Sequence, residues 1–298
     1  METTAPEVCL LRLEVRRLGV DRGVDGTDFD EAVGRTLDKK RVKMTKRLVV
    51  CKEMDACNSL ANEARTVVLR RCIPAPWVGK GFAMMAVERW SLIDSDLTAL
   101  REKLATAALA LVAVWPDRVA ESQVALSRDG IPWDGSEWPA IDEVATSYSI
   151  SWRPLEFSVP DALRRIDSAA FVEARTKAAM QWESALAEGE KLLAAEMKAL
   201  VDRAVERLTP ETGPDGKPLR KNWRDSLIGN IRDFIGEFRY RNLTGSGELQ
   251  AQVDRMRAIL GGLSPDALRL PSMADAREVV AMGMVEVSAA LDRAIVTA

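Results

Sequence analysis

The stretch Ile93–Trp115, IDSDLTALREKLATAALALVAVW, decides the fold. Ile93, Leu97, Leu100, Leu104, Ala107, Leu111 and Val114 recur at steps of 4, 3, 4, 3, 4 and 3, the a/d seam of one helix laid along another. A second seam precedes it. Val50, Met54, Cys57, Ala61, Ala64 and Val68 are spaced 4, 3, 4, 3 and 4. Between the two lies Ile73-Pro74-Ala75-Pro76-Trp77, whose prolines forbid a continuous helical ladder. Two seams joined by a short turn fold back as an antiparallel pair. The second helix is expected from about Gly81 to Trp115, roughly 50 Å of helix. Trp115-Pro116 kinks or ends it, and a short helix over 117–127 follows.

Working outward, Leu11-Arg12-Leu13-Glu14-Val15-Arg16 alternates with period two, as a half-buried strand does. Ser149 to Phe157 reads as an edge strand, because Pro154 is tolerated only at an edge. The two strands are expected to pair as a small ribbon. Ser158-Val159-Pro160-Asp161 starts a long helix running to Leu208. Val172, Ala179, Leu186, Leu193 and Leu200 recur along it every seven residues, and Gly189 weakens its middle. Pro214-Asp215-Gly216-Lys217-Pro218 centres a loop or hairpin. Further helices carry Trp223, Leu227, Ile231, Phe234 and Phe238, then Leu249, Val253, Met256 and Leu260. The last carries Val279, Met282, Val287 and Leu291. The expected fold is mainly α: an elongated helical hairpin or coiled-coil arm, a C-terminal helical bundle and a small two-stranded β element. The expected segments are 1–38 (strand and loop), 39–128 (antiparallel helical hairpin), 129–157 (Trp-rich loop and strand) and 158–298 (long helix and bundle).

The chemistry is narrower. The chain has 298 residues, 47% of them hydrophobic, a net charge of −3 and no histidine. Absence of histidine removes Ser-His-Asp and Cys-His catalysis and most catalytic zinc sites. Cys9, Cys51, Cys57 and Cys72 form no CxxC pair. Cys57 lies on a helical seam and reads as a small buried hydrophobe. No phosphate-binding loop is present: Gly79-Lys80-Gly81 lacks the first glycine and the hydroxyl residue. Catalytic residues, a metal site and a cofactor are therefore not expected, and neither is enzyme activity. Met1 to Glu7 lacks a signal-peptide pattern, and no apolar run is long enough to span a bilayer. A reduced, cytoplasmic protein with no membrane contact is expected.

Two kinds of binding surface are legible. Trp133 and Trp138 sit in a polar, turn-rich loop and are candidates for gripping a protein partner. Lys39, Lys40, Arg41, Lys43, Lys46 and Arg47 form a basic stretch that could neutralise nucleic-acid phosphates. A second basic stretch over 217–241 interleaves Arg224, Arg232, Arg239 and Arg241 with Trp223, Phe234, Phe238 and Tyr240. There the simpler reading makes the aromatics core and the charges a solvated face.

The order of these elements is also informative. A strand at Leu10–Arg16 precedes Lys40-Arg41-Val42, then a helical hairpin, a Trp-rich junction and a long helix. The turn Gly213-Pro214-Asp215-Gly216-Lys217-Pro218-Leu219-Arg220 follows, then Phe234-Ile235-Gly236-Glu237-Phe238-Arg239-Tyr240-Arg241-Asn242-Leu243-Thr244-Gly245. Over roughly residues 8–270 this resembles the prokaryotic and phage family known as domain of unknown function 3150. Its members tend to be encoded beside MoxR-like AAA+ ATPases and von Willebrand A-type proteins, also on phages and mobile elements. The resemblance implies a non-catalytic scaffold or adaptor contacting such a protein in the cytoplasm, the host's if phage-encoded. It supplies no catalytic residues. The alternative is a nucleic-acid-associated protein of a phage or mobile element.

Overall fold

Helix α1 (Lys52–Arg71) opens with Glu53 and Asp55 and closes with Arg70 and Arg71, the charge order its dipole favours. Its expected seam is real: Met54, Cys57, Ala61, Ala64 and Val68 are all buried. Val50 precedes the helix and is 73% exposed. This computed structural model describes residues 7–24, 45–156, 158–209, 211–212, 218–219, 226–261, 263 and 271–297.

Helix α2 (Trp90–Arg128) buries Ile93, Leu97, Leu100, Leu104, Ala108, Leu111 and Trp115. The seam expected from the sequence thus slips by one residue, from Ala107 to Ala108 and from Val114 to Trp115. Six steps cover 22 residues, a period of about 3.7. That is the repeat of a nearly straight helix, where a left-handed supercoil needs 3.5. Pro116 does not end the helix, which continues to Arg128. Proline removes one ladder bond there. The buried indole N–H of Trp115 donates to the Pro139 carbonyl at 3.1 Å and ties the helix down at the same point.

The connection between α1 and α2 is a β-hairpin, where the sequence suggested a bare turn followed by helix. Strand β4 (Ile73–Pro74) pairs antiparallel with β5 (Phe82–Ala86), with Ile73 opposite Met84. Gly79 and Gly81, at φ 153° and 84°, turn the chain between them. A five-residue apolar run cannot be told from a helical turn by periodicity, and its flanking glycines decide for strand. Strand β5 also pairs with β1 (Val8–Arg16), Leu10 facing Met84. Strand β6 (Ser149–Leu155) lies on the other side of β1, as expected, giving a four-stranded order β4-β5-β1-β6. Strands β2 (Asp21–Gly23) and β3 (Thr45–Arg47) form a separate antiparallel pair.

Short α3 (Ile141–Ser147) leads into β6. The long helix expected from 158 is two helices, α4 (Asp161–Ile166) and α5 (Ser168–Leu208). Asp167 separates them. Its carboxylate accepts the backbone N–H groups of Ala169 and Ala170, both at 2.9 Å, and so caps α5. The buried stripe of α5 begins only at Ala185, and Val172 is 63% exposed. Strands β7 (Glu211–Thr212) and β8 (Pro218–Leu219) pair around the expected turn, which itself lies outside the described residues. Helices α6 (Ser226–Arg241), α7 (Gly247–Ile259) and α8 (Ala274–Thr297) complete a mainly α fold.

The described residues of Met1–Arg12, Val68–Ser91 and Arg153–Ala298 form one compact unit, and those of Leu13–Val67 and Leu92–Trp152 another. The segment 39–128 contributes to both. In the first unit Leu193, Met197, Val201 and Leu208 of α5 share a core with Met84, Phe238, Val253, Met284 and Leu291. Lys198 bridges Asp202 and Asp292 at 2.8 and 3.4 Å, which fixes the register of α5 against α8. Gly189 is buried under the β4–β5 hairpin, where a Cβ would collide with the Met84 methyl. On α8 the buried stripe is Val280, Met284, Val287 and Leu291, whereas Val279 and Met282 face outward.

Candidate functional site

The second unit joins the two sequence features singled out as binding candidates. Lys46 is the central residue of β3, and period-two alternation turns it inward while Thr45 and Arg47 face out. Its ammonium lies 2.7 Å from the Glu137 carboxylate and donates to the Pro132 carbonyl at 2.5 Å. The Lys46 side chain is 7% exposed and that of Glu137 24%. Arg22, opposite Lys46 on β2, donates to the Glu137 carbonyl at 3.1 Å.

The loop that receives these groups is organised by its own sequence. Asp134 accepts the Ser136 N–H at 2.7 Å, and Glu137 accepts the Asp134 N–H at 3.1 Å, a capping box on a single turn of helix over Gly135–Glu137. Burial pushes the Glu137 carboxyl up, but the Lys46 hydrogen bond, the Asp134 N–H and the Lys46 charge together hold it below its ordinary range. The Ser136 N–H likewise lowers Asp134.

On this framework the Trp133 indole N–H donates to the Ser127 hydroxyl at 2.9 Å, and the residue is 38% exposed. Trp138 is half-buried, and its buried indole N–H has no acceptor among the described residues. The loop is therefore held at Pro132, Glu137 and Pro139 by side chains from β3, β2 and α2. It leaves Trp133 exposed and Trp138 half-buried.

The basic stretch fares differently from the sequence reading. Lys39, Lys40, Arg41 and Lys43 lie outside the described residues. Lys46 is a buried structural cation and no surface for phosphate. Arg47 pairs with Asp21 at 2.9 Å, which pulls the Asp21 carboxyl down. In the 217–241 stretch, Phe234 and Phe238 are core residues with ring centroids 6.0 Å apart. Arg241 is 2% exposed, clamped on Glu196 through both terminal nitrogens. Arg89 pairs with Glu237 and stacks on Tyr240, 3.4 Å from the ring centroid. Trp223 and Arg224 lie outside the described residues. Sequence reasoning missed the Lys46–Glu137 lock because its partners stand 91 residues apart, although the Asp134-Ser136-Glu137 spacing announced the capping box.

Other chemistry is sparse. A concavity of about 130 Å³ between α5 and α7 is lined by Glu190, Lys191, Ser246 and Glu248. Small-molecule sites usually measure ~300–1,000 Å³. Among the described residues no cluster of three or more Cys, Asp or Glu is placed to hold a metal ion. All four cysteines are free, and burial raises each thiol rather than activating it. No helix among the described residues is long and apolar enough to cross a membrane. No family model, curated protein or solved structure matches the chain.

Proposed function

We propose that this protein is a non-catalytic adaptor that grips another protein through the loop carrying Trp133 and Trp138. The observation that carries the reading is the Lys46–Glu137 lock. It fixes an otherwise polar loop so that the Trp133 ring is held out at little further entropic cost on binding. Tryptophan on a preorganised loop is the residue type that dominates protein interfaces. The resemblance to domain of unknown function 3150 supplies the partner class: a MoxR-like AAA+ ATPase or a von Willebrand A-type protein, in the cytoplasm of a cell carrying a phage or mobile element. A nucleic-acid role draws less support, because Lys46, Arg47, Arg89 and Arg241 are each engaged by a carboxylate.

The test is co-expression with a MoxR-like ATPase encoded beside the gene. Stable co-purification and a changed ATPase rate are expected, with Trp133→Ala weakening binding by about 30-fold, as a hot spot of ~2 kcal/mol requires. A complex indifferent to Trp133→Ala, or no complex, sinks the reading. Salt-dependent binding of duplex DNA instead, lost on charge reversal of Lys40, Arg41 and Lys43, would favour the nucleic-acid role.

A further inference from the structure

Helix α2 carries a second seam, on the side away from its buried one. Thr106, Leu109, Ala113, Pro116, Ala120 and Val124 step by 3, 4, 3, 4 and 4 residues and all are exposed, Leu109 and Val124 to 70% each. From Leu104 to Pro116 the helix has no charged residue on any face. A helix apolar all round is normally covered on both sides, and this one is covered on one. The outward seam is built mostly of small side chains, which lets a second helix backbone approach closely.

The charges flanking this seam name its occupant. Lys103 and Glu121 are eighteen residues apart, five turns of helix, so they stand on the same edge of the seam, with Asp117 close to that edge. All three are exposed, and Glu121 pairs with Arg118 of its own helix at 2.6 Å, an ion pair that Lys103 of the second copy would share. The mid-level of Lys103 and the Asp117–Glu121 pair falls at Leu111, one residue from the middle of the uncharged run. A two-fold axis at that level runs a second α2 antiparallel and brings like edges together. It sets Lys103 of each copy between Asp117 and Glu121 of the other, and Leu109 at the level of the small Ala113. Glu102 closes the seam at its end, beside Lys103. A surface complementary to itself under a two-fold is the signature of an isologous dimer.

We infer that the outer face of α2 is a homodimer interface, occupied by the α2 of a second copy of this chain in antiparallel orientation. It adjoins the Trp133–Trp138 loop, because Trp133 donates to Ser127, less than one turn beyond Val124. The contact from Lys103 to Glu121 spans about five turns, roughly 27 Å, of two helices. That is small for a protein interface, so a reversible dimer of roughly micromolar Kd is expected.

Sedimentation velocity of the full chain from about 1 to 100 μM tests this. The wild type is expected to pass from monomer to dimer across the range. Leu109→Glu should raise Kd at least about tenfold, and Lys103→Glu about fivefold. The triple variant Lys103→Glu, Asp117→Lys, Glu121→Lys should restore wild-type association. All four positions are exposed, and circular dichroism verifies that each variant is folded. A wild type monomeric throughout, dimerisation indifferent to Leu109→Glu, or failure of the triple variant to recover what Lys103→Glu loses would each overturn the inference.

Discussion

Lys46→Met is expected to destabilise the second unit by about 2–3 kcal/mol. Removing one partner of a fully buried pair costs ~3–5 kcal/mol, because the other charge is left stranded. Glu137 keeps about a quarter of its exposure, so water recovers part of that loss and ~2 kcal/mol remains. The Pro132 carbonyl also loses its donor, adding up to ~1 kcal/mol. Glu137→Gln should cost less, about 1–2 kcal/mol, since the Asp134 N–H and Lys46 still find an amide oxygen. The double variant should cost about as much as Lys46→Met alone, leaving a coupling of ~1–2 kcal/mol. The difference between wild type and Lys46→Met should also shrink in acid. Glu137 is held below its ordinary range, so its contribution is complete above the unfolded-state value of about 4.3 and is lost as pH falls through the folded value. Urea unfolding followed by circular dichroism gives the free energies, and hydrogen exchange reports on the 131–138 amides. A Lys46→Met variant within about 0.5 kcal/mol of wild type, with unchanged exchange in the loop, would refute the lock and the preorganisation built on it.

Two further outcomes follow from the first unit. Gly189→Val should lower stability by about 1–3 kcal/mol, since its added carbons enter the space of Met84 and Ile73; Gly189→Ala should be nearly neutral, the helix gaining ~1 kcal/mol while the flexible Met84 methyl swings aside. Thermal melts of both variants check this, and equal melts for Val and Gly would contradict the close packing. Cys72 is 1% exposed and its thiol is pushed up to about 12, chiefly by burial. It should resist a thiol reagent near neutral pH until urea is added, and labelling at the denatured-state rate in the native protein would disprove its burial.

The parts legible in the sequence were those governed by local periodicity. Five of the six α1 seam residues are buried as spaced. In α2 the same method ran one residue off by Ala108, because a 4-3 template drifts against a straight helix and the error accumulates with length. The break at Asp167 lies before the heptad that marks the long helix, so that repeat is silent about it, and the heptad's first member, Val172, is exposed. Phe82–Ala86 differs for another reason: whether a short apolar run is strand or helix depends on the partner that satisfies its backbone, here β1, 70 to 78 residues away. Gly189 was read as a weakness of the helix, and it is the place where the hairpin presses on it. At the candidate site, the two tryptophans and the capping box were readable, whereas the role of Lys46 required knowing what lay beneath β3.

That inversion of Lys46 bears on how the molecule makes contacts. Its described cations repeatedly answer its own carboxylates: Lys46 to Glu137, Arg47 to Asp21, Arg89 to Glu237, Arg118 to Glu53 and Glu121, Lys198 to Asp202 and Asp292, Arg241 to Glu196. A cation already held by a carboxylate offers a phosphate only an exchange of partners, with little net gain. Trp133 on its fixed loop, and Leu109 and Val124 on the outer face of α2, have no such internal competitor. Their burial against a partner would remove apolar surface from water, and of the described ion pairs only Arg118–Glu121 stands at the rim of that face. The physical chemistry therefore favours recognition through a few preset apolar groups, with charges such as Lys103, Asp117 and Glu121 setting orientation at the rim.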